Sequence, residues 1–304
     1  MKVAIIGGGA VGLLLESYLR NANIDSVVYT RRKNQALAIN KNGIELVKNN
    51  SKEKFDATAR LFSEGLKGDE DLLVITVKQY DLGPIVDYLI ENQINTPVLF
   101  LQNGMGHLSI LSKLYSNAIY IGIVEHGVLK HSDTGITHTG EGVIKVSPFN
   151  GTDNVISEIS HKFNAIGFPV EVTGDWYPIL TKKLIVNAVI NPLTALYRVR
   201  NGRLLDNEFY FRNMKLLFNE VTEVVEITEI DNLWEDVQAI CRKTSNNYSS
   251  MYKDIEQGRQ TEISSILGYL LDEGKKRNIP MPLTSFLYYS IKGLETIREE
   301  EANG

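Results

Sequence analysis

The chain of 304 residues has almost no cysteine: Cys241 stands alone. One cysteine excludes an intrachain disulfide and a cysteine-based zinc site. Histidine is scarce as well. His107, His126, His131, His138 and His161 include no His-x-x-x-His pair, so no metal is expected, and each reads as a surface or core polar residue. Positive charge is not in excess. The 32 Lys and Arg against 37 Asp and Glu leave a net charge of −5, which argues against a general nucleic-acid binder. No apolar run approaches the length of a membrane span, about 20 residues. The apolar stretch after Lys2 is cut by three glycines and followed by Glu16, without a small-residue cleavage site, so a strand is expected there and not a signal peptide. A cytoplasmic location is the resulting expectation. Internal repeats and low-complexity segments are also missing. What is present, 43% hydrophobic and 23% charged residues, is an ordinary globular composition in a chain long enough for two domains.

The most informative segment is the first. Val3-Ala4-Ile5-Ile6 is a short apolar run that fits a buried parallel strand, and Gly7-Gly8-Gly9-Ala10-Val11-Gly12 follows it before Leu13-Leu14-Leu15. Strand, glycine turn and helix form the pyrophosphate cradle of a dinucleotide site. Gly7 allows the tight turn, Gly9 admits the pyrophosphate, Gly12 lets the helix pack, and the free N–H groups at the helix start face the anion. The next strand, Ser26-Val27-Val28-Tyr29, ends at Thr30-Arg31-Arg32-Lys33. An NAD site usually has Asp or Glu about twenty residues beyond the turn, to hold the ribose 2′-OH. Here that carboxylate is missing and three cations replace it. A guanidinium fork suits a 2′-phosphate, so NADP (NADPH) is the expected cofactor, with Arg31 as the clamp and Arg32 beside it.

Further buried-strand runs are Leu72 to Val77, Pro97 to Leu101 and Ala118 to Val124, with amphipathic stretches at Asp81 to Glu91 and Leu108 to Tyr115 between them. This alternation predicts a doubly wound parallel sheet. Ligands of such sheets bind beyond the strands' carboxyl ends, which makes Lys78 and Asn103 site candidates. Gly127 to Val146 reads as short strands extending the sheet in antiparallel fashion. From Trp176 helical periodicity takes over, with apolar stripes at Leu216, Leu217, Val221, Val224, Val225 and Ile227 and at Ile263, Ile266, Leu267, Leu270 and Leu271. The expected fold is α/β: a Rossmann-type domain over 1–172 and an all-helical domain over 173–304. The tail from Glu299 to Gly304 reads as frayed.

Lys183, Asn187 and Asn191 are spaced i, i+4, i+8 on one helix face among apolar neighbours. Taken alone, the face is either a surface stripe or the lining of a polar cleft. Pro192 disfavours helix at Asn191, so a bend or an end is expected there. Ser250 and Glu262 would point about 120° apart on one straight helix. They share a site only if the chain breaks between them, and Gly258 could supply the break. Ser250 or Thr261 could also simply cap a helix.

The chain therefore carries, in order, Gly7-x-Gly9-x-x-Gly12, Arg31, Lys78, Gln102-Asn103-Gly104-Met105-Gly106, Lys183-Leu184-x-x-Asn187-x-x-x-Asn191-Pro192-Leu193-Thr194, Asn247-x-Ser249-Ser250-Met251 and Thr261-Glu262-Ile263. This succession resembles the ketopantoate reductases, also called 2-dehydropantoate 2-reductases, over nearly the whole chain. It departs from them at Pro280-Met281-Pro282-Leu283-Thr284, where an Asn often follows the proline. The resemblance implies a Rossmann domain and a helical domain with the active site in the cleft between them. The implied reaction is NADPH-dependent reduction of 2-dehydropantoate to pantoate, in pantothenate biosynthesis. It implies that Lys183 is the general acid and that Glu262 positions it. Asn187 and Asn191 would bind the substrate, Ser250 would hold its carboxylate with Asn247, and Asn103 would contact both nicotinamide ribose and substrate. Lys78 would lie near the cofactor and Arg31 at its 2′-phosphate. Two other readings stay open: reduction of another small 2-oxo acid, and a non-catalytic NADPH-binding regulator. The expected partner is a small-molecule 2-oxo acid, with a homodimer left open and with neither nucleic acid nor membrane.

Overall fold

The computed structural model describes residues 1–116, 118–152, 154–227 and 229–303. The chain forms two compact units, Met1–Gln102 with Ile110–Trp176, and Asn103–Ser109 with Tyr177–Gly304. The short segment Asn103–Ser109, which the sequence reads as part of the first domain, thus belongs to the second unit.

The first unit runs β1 (Lys2–Ile6), α1 (Ala10–Asn21), β2 (Asp25–Thr30), α2 (Lys33–Asn42), β3 (Ile44–Lys48), β4 (Ser51–Phe55), β5 (Ala59–Leu61), β6 (Leu72–Ile75), α3 (Gly83–Glu91) and β7 (Val98–Phe100). It continues through α4 (Leu108–Leu111), which begins in the second unit and ends in the first, β8 (Ile119–Val124), β9 (Gly127–Lys130), β10 (Gly135–Gly140), β11 (Ile144–Asn150), α5 (Val155–Ala165) and β12 (Val170–Val172). Eight strands form one sheet in the order β12-β11-β8-β7-β6-β1-β2-β5, parallel except where β11 meets β8. Val3, Ala4, Ile5 and Ile6 are buried on both faces of it, as a central parallel strand requires. In register, Ile6 lies opposite Tyr29 of β2 and Ile75 of β6. The chain leaves β1 to one side for β2 and returns on its other side as β6. That reversal makes the carboxyl end of β1 the place where an open α/β sheet binds its ligand.

The segment after Gly127 corrects the sequence reading in part. β11 does extend the main sheet in antiparallel fashion. β9 and β10 instead join β3 and β4 in a separate sheet of order β4-β3-β10-β9, with β10 parallel to β3. Partner choice is non-local, and glycine spacing along β9 and β10 carries no trace of it. β3, β4 and β5 escape the sequence reading: Ser51-Lys52-Glu53-Lys54 of β4 is polar and exposed, β5 has only three residues, and β3 buries Ile44 and Leu46 in a run too short to stand out.

Among the described residues from 177 on, the regular elements of the second unit are all helices: α6 (Trp176–Tyr197), α7 (Arg203–Asp206), α8 (Glu208–Thr222), α9 (Ile230–Lys243), α10 (Ser250–Glu256), a π-helical stretch (Ser264–Gly268) leading into α11 (Tyr269–Arg277), and α12 (Pro282–Asn303). Helix α6 corrects two expectations. It does not end at Asn191 but passes through Pro192 for another turn. Thr194 Oγ1 donates to the carbonyls of Ile190 and Asn191, and Pro192 itself is buried, so local hydrogen bonding and packing override the proline's preference. It is also long and apolar enough to cross a membrane by length and composition, with a mean hydropathy of 1.3. Because 72% of that apolar window is buried in the fold, it serves as the core helix of this unit. Of the first apolar stripe, Leu217, Val221 and Val224 are buried, but Leu216 is 58% exposed. The stretch read as a frayed tail is helical as far as Asn303, and Gly304 lies outside the described residues.

Candidate active site

The glycines of the first turn meet different demands. Gly7 has φ +128°, and its N–H donates to Tyr29 O at 2.9 Å; a Cβ there would lie 2.7 Å from Thr76 Oγ1. A Cβ on Gly12 would lie 1.9 Å from Gly7 O, so the helix packs on the turn only because the side chain is missing. Gly9 has ordinary backbone angles, and nothing of the protein comes within 4 Å of its missing Cβ. Open space there, above a helix start with no side-chain cap and no acidic residue in its first turn, fits a dinucleotide pyrophosphate. The carbonyl of Gly8 is turned aside. It accepts from Gln35 Nε2 and Lys130 Nζ, each at 2.7 Å. Burial lowers the Lys130 ammonium, opposed by Asp133. Neither Gln35 nor Lys130 was legible as a cradle residue, since no local pattern links them to Gly8.

Arg31 follows β2, is 80% exposed, and donates through Nη1 to Asp81 Oδ1 at 2.8 Å. Arg32 forks onto both carboxylate oxygens of Asp133. A 2′-phosphate at Arg31 therefore competes with one exposed carboxylate, at Arg32 with a bidentate pair. Lys78 follows β6 with its ammonium 5.9 Å from the centre of the Tyr80 ring. Gly7 to Gly12, Arg31 and Lys78 thus follow the carboxyl ends of β1, β2 and β6, three neighbouring strands.

In the second unit, α6 carries Lys183, Asn187 and Asn191. Lys183 and Asn187 are half-buried and Asn191 is 8% exposed, which rules out a plain surface stripe. Lys182, the adjacent cation, is 51% exposed and pairs with Asp236 at 2.5 Å. The start of α10 is tied to this helix: the hydroxyls of Thr194 and Ser249 are hydrogen-bonded at 2.8 Å. Ser249, not Ser250, caps α10, accepting from the N–H of Tyr252, so Ser250 stands exposed at the first helical position. Asn247 is fixed through its carbonyl, which accepts from Asn201 N–H at 2.9 Å.

The chain does break between Ser250 and Glu262: α10 stops at Glu256, and Gly258 takes φ +63°. Glu262 is buried, and its Oε2 accepts from Asn103 Nδ2 at 2.9 Å. Gly104 makes that meeting feasible. It has φ +81°, and a Cβ on it would lie 2.2 Å from Ser265 O; the neighbouring Met105 N–H donates to the same carbonyl at 3.3 Å. Unit two therefore carries a half-buried lysine, a buried carboxylate bonded to Asn103, further amides and an exposed serine, residue types that can orient a small oxo acid and deliver a proton.

Residues 3–151 match the family model described as ketopantoate reductase PanE/ApbA, and residues 175–295 match that of the ketopantoate reductase PanE/ApbA C terminal. The chain is similar to the 2-dehydropantoate 2-reductase of Bacillus subtilis (strain 168), with 45% identity over 97% of this chain and 98% of the relative. Similarity to the 2-dehydropantoate 2-reductase of Listeria innocua is 39% over 97% of each chain. Among solved structures, the probable 2-dehydropantoate 2-reductase panE from Bacillus subtilis superposes with a TM-score of 0.84 at 43% identity, covering 97% of this chain and 100% of that one. A D-mandelate dehydrogenase solved with NADH and anilino(oxo)acetate shares the fold, with a TM-score of 0.90 at 22% identity over 98% of this chain and 100% of that one.

Proposed function

The chain belongs to the ketopantoate reductase family, and from that premise we propose how its residues carry out the NADPH-dependent reduction of 2-dehydropantoate to pantoate. The enzyme is an NADP-dependent oxidoreductase, and the reaction serves pantothenate biosynthesis. We read residues 1–172 as the dinucleotide-binding domain and 173–304 as the helical substrate domain, with Asn103–Ser109 serving the latter. NADPH, when bound, supplies the hydride. Gly7, Gly8, Gly9, Ala10, Val11 and Gly12 cradle its pyrophosphate, Arg31 takes the 2′-phosphate, and Lys78 and Asn103 contact the remainder.

In this reading Lys183 gives a proton to the ketone oxygen as negative charge develops there, and its own charge lowers the barrier before transfer. Glu262 orients the lysine and is itself oriented by Asn103. Asn187 and Asn191 hydrogen-bond the substrate from the same face of α6, and Ser250 with Asn247 holds its carboxylate. The observation that carries this reading is the buried Glu262 held by Asn103, in the same unit as the half-buried Lys183 of α6. A regulator that only senses NADPH has no use for a proton donor. A cytoplasmic location is part of this proposal and is supported by the reaction class. A homodimer is a further proposal, checked by light scattering.

The decisive experiment follows NADPH absorbance with the purified protein and a panel of 2-oxo acids. Turnover greatest with 2-dehydropantoate is expected. Faster turnover of another 2-oxo acid would move the substrate assignment, and NADPH binding without any turnover would favour the regulator.

A further inference from the structure

The proposed site depends on where the backbone holds Glu262, and the residues just before it are tied back to α10: Arg259 N–H donates to Asp254 O at 2.8 Å and its Nε to Asp254 Oδ1 at 3.0 Å. Gln257, Gly258, Arg259 and Gln260 are exposed, and Gly258 has left-handed backbone angles. The next residue is different. Thr261 is 2% exposed and is bound twice by one carboxylate oxygen: its N–H donates to Glu295 Oε1 at 2.8 Å, and its Oγ1 donates to the same atom at 2.6 Å. Thr261 Oγ1 in turn accepts from Ile263 N–H at 3.2 Å, opening the helix that carries the π-helical stretch.

Glu295 sits on α12 and is 8% exposed, and its other oxygen pairs with Lys292 one turn earlier at 2.5 Å. Burying a carboxylate is costly unless it is paired and hydrogen-bonded, and here it is both. Its charge lies at the start of a helix, where negative charge is favoured. On the far side of Glu262 the backbone is pinned again: its carbonyl accepts from Ser265 N–H at 3.1 Å, Ile266 N–H at 3.2 Å and Ser265 Oγ at 2.8 Å. Glu262 is thus clamped between an anchor on α12 and a π-helical stretch, a distortion that often occurs at functional sites.

We propose that Glu295 is a positioning residue for the reaction, holding Thr261 so that the neighbouring Glu262 presents its carboxylate to Asn103 in a fixed orientation. This rests on the reading of Glu262 as part of the catalytic machinery. Losing the anchor shifts Glu262 while the dinucleotide cradle keeps its own residues, so the defect falls on turnover. Displacement of a catalytic group by about 1 Å can cost on the order of 100-fold.

The test compares Glu295→Ala, Glu295→Gln, Thr261→Val and Thr261→Ser with the parent full-length enzyme, and includes Glu262→Gln. Glu295→Ala and Thr261→Val are expected to lower kcat by about 10- to 100-fold, with KM for NADPH within about two-fold. Glu295→Gln and Thr261→Ser, which keep an acceptor and a hydroxyl, are expected to restore most of the rate. Hydrogen exchange of the amides of Ile263 to Ile266 in the cofactor-free protein should quicken in Glu295→Ala and Thr261→Val alone. A lower melting temperature with kcat within two-fold of the parent in either variant overturns the proposal, as does failure of both conservative variants to rescue. If Glu295→Ala does not fold, Thr261→Val against Thr261→Ser decides by the same criteria. Full activity in Glu262→Gln would instead bring down the reading of the site; loss there, with Glu295 and Thr261 variants fully active, brings down this inference alone.

Discussion

Gly9 and Gly12 are interchangeable letters in a motif, yet a side chain at each would fail for a different reason. At Gly9 the backbone accepts any residue and the space is open, so Gly9→Val should fold normally and abolish NADPH binding in calorimetric titration. At Gly12 a Cβ would overlap Gly7 O, so Gly12→Ala should lower the melting temperature even without cofactor. Arg31→Ala should raise the NADPH Michaelis constant about 10- to 150-fold, since a hydrogen bond to a charged group contributes about 1.5–3 kcal/mol. NADH kinetics should hardly change, and equal weakening of both cofactors would show that Arg31 does not read the 2′-phosphate. Lys183→Ala should cut turnover by about 10² to 10⁴ with NADPH binding retained, the range of general acid catalysis. Glu262→Ala should cost less in that background than alone, because the two act as a unit. Lys182→Ala, which removes only an exposed pair with Asp236, should leave turnover unchanged; a greater loss there than at Lys183 overturns the assignment.

At the scale of elements, α6 matters through its continuity. Had Pro192 ended it, Thr194 would not lie where its hydroxyl meets Ser249, and the start of α10 would lose its attachment to α6. Thr194→Val keeps the shape and removes the hydroxyl. It should destabilise the protein by about 1–3 kcal/mol in denaturant titration, the cost of leaving a buried polar partner unmet. It should also raise KM for the 2-oxo acid more than KM for NADPH. Equal KM values in variant and parent would separate α10 from substrate binding. The apolar spacing of α6 and its three polar positions were readable from the sequence. Its passage through Pro192 was not, because proline's cost is local while the burial that offsets it is distributed over the unit.

Over the whole molecule, buried histidines link stability to pH. Burial pushes His107 and His126 down to about 4 from an ordinary 6.5. His138, lowered by burial as well, lies between Tyr18 and His126 in a hydrogen-bonded chain with ring-nitrogen contacts of 3.0 and 3.1 Å. The unfolded chain therefore binds more protons than the folded one between about pH 6.5 and 4, and stability falls as pH falls through that window. Each of the two histidines at about 4 contributes at most roughly 3 kcal/mol. Glu16, a carboxyl raised by burial, acts in the opposite sense. Denaturant titrations from pH 7 to 4 should show the loss, and His126→Gln should reduce it. The same slope in the variant would mean that His126 does not titrate on unfolding.

The sequence alone determined what depends on neighbours along the chain: the buried runs of β1, β2, β6, β7 and β8, the glycine turn before α1, the cations after β2, and the shared face of Lys183, Asn187 and Asn191. Each is a matter of period, backbone freedom or side-chain type within a few residues. The tertiary structure decided what depends on residues far apart. Asn103 meets Glu262 across 159 positions, Lys130 reaches Gly8 across 122, Thr261 is anchored by Glu295 across 34, and β10 pairs with β3 outside the main sheet. Such pairings are selected by the packing of the folded chain as a whole, against a loop entropy that grows only slowly with separation, so no short stretch of sequence specifies them.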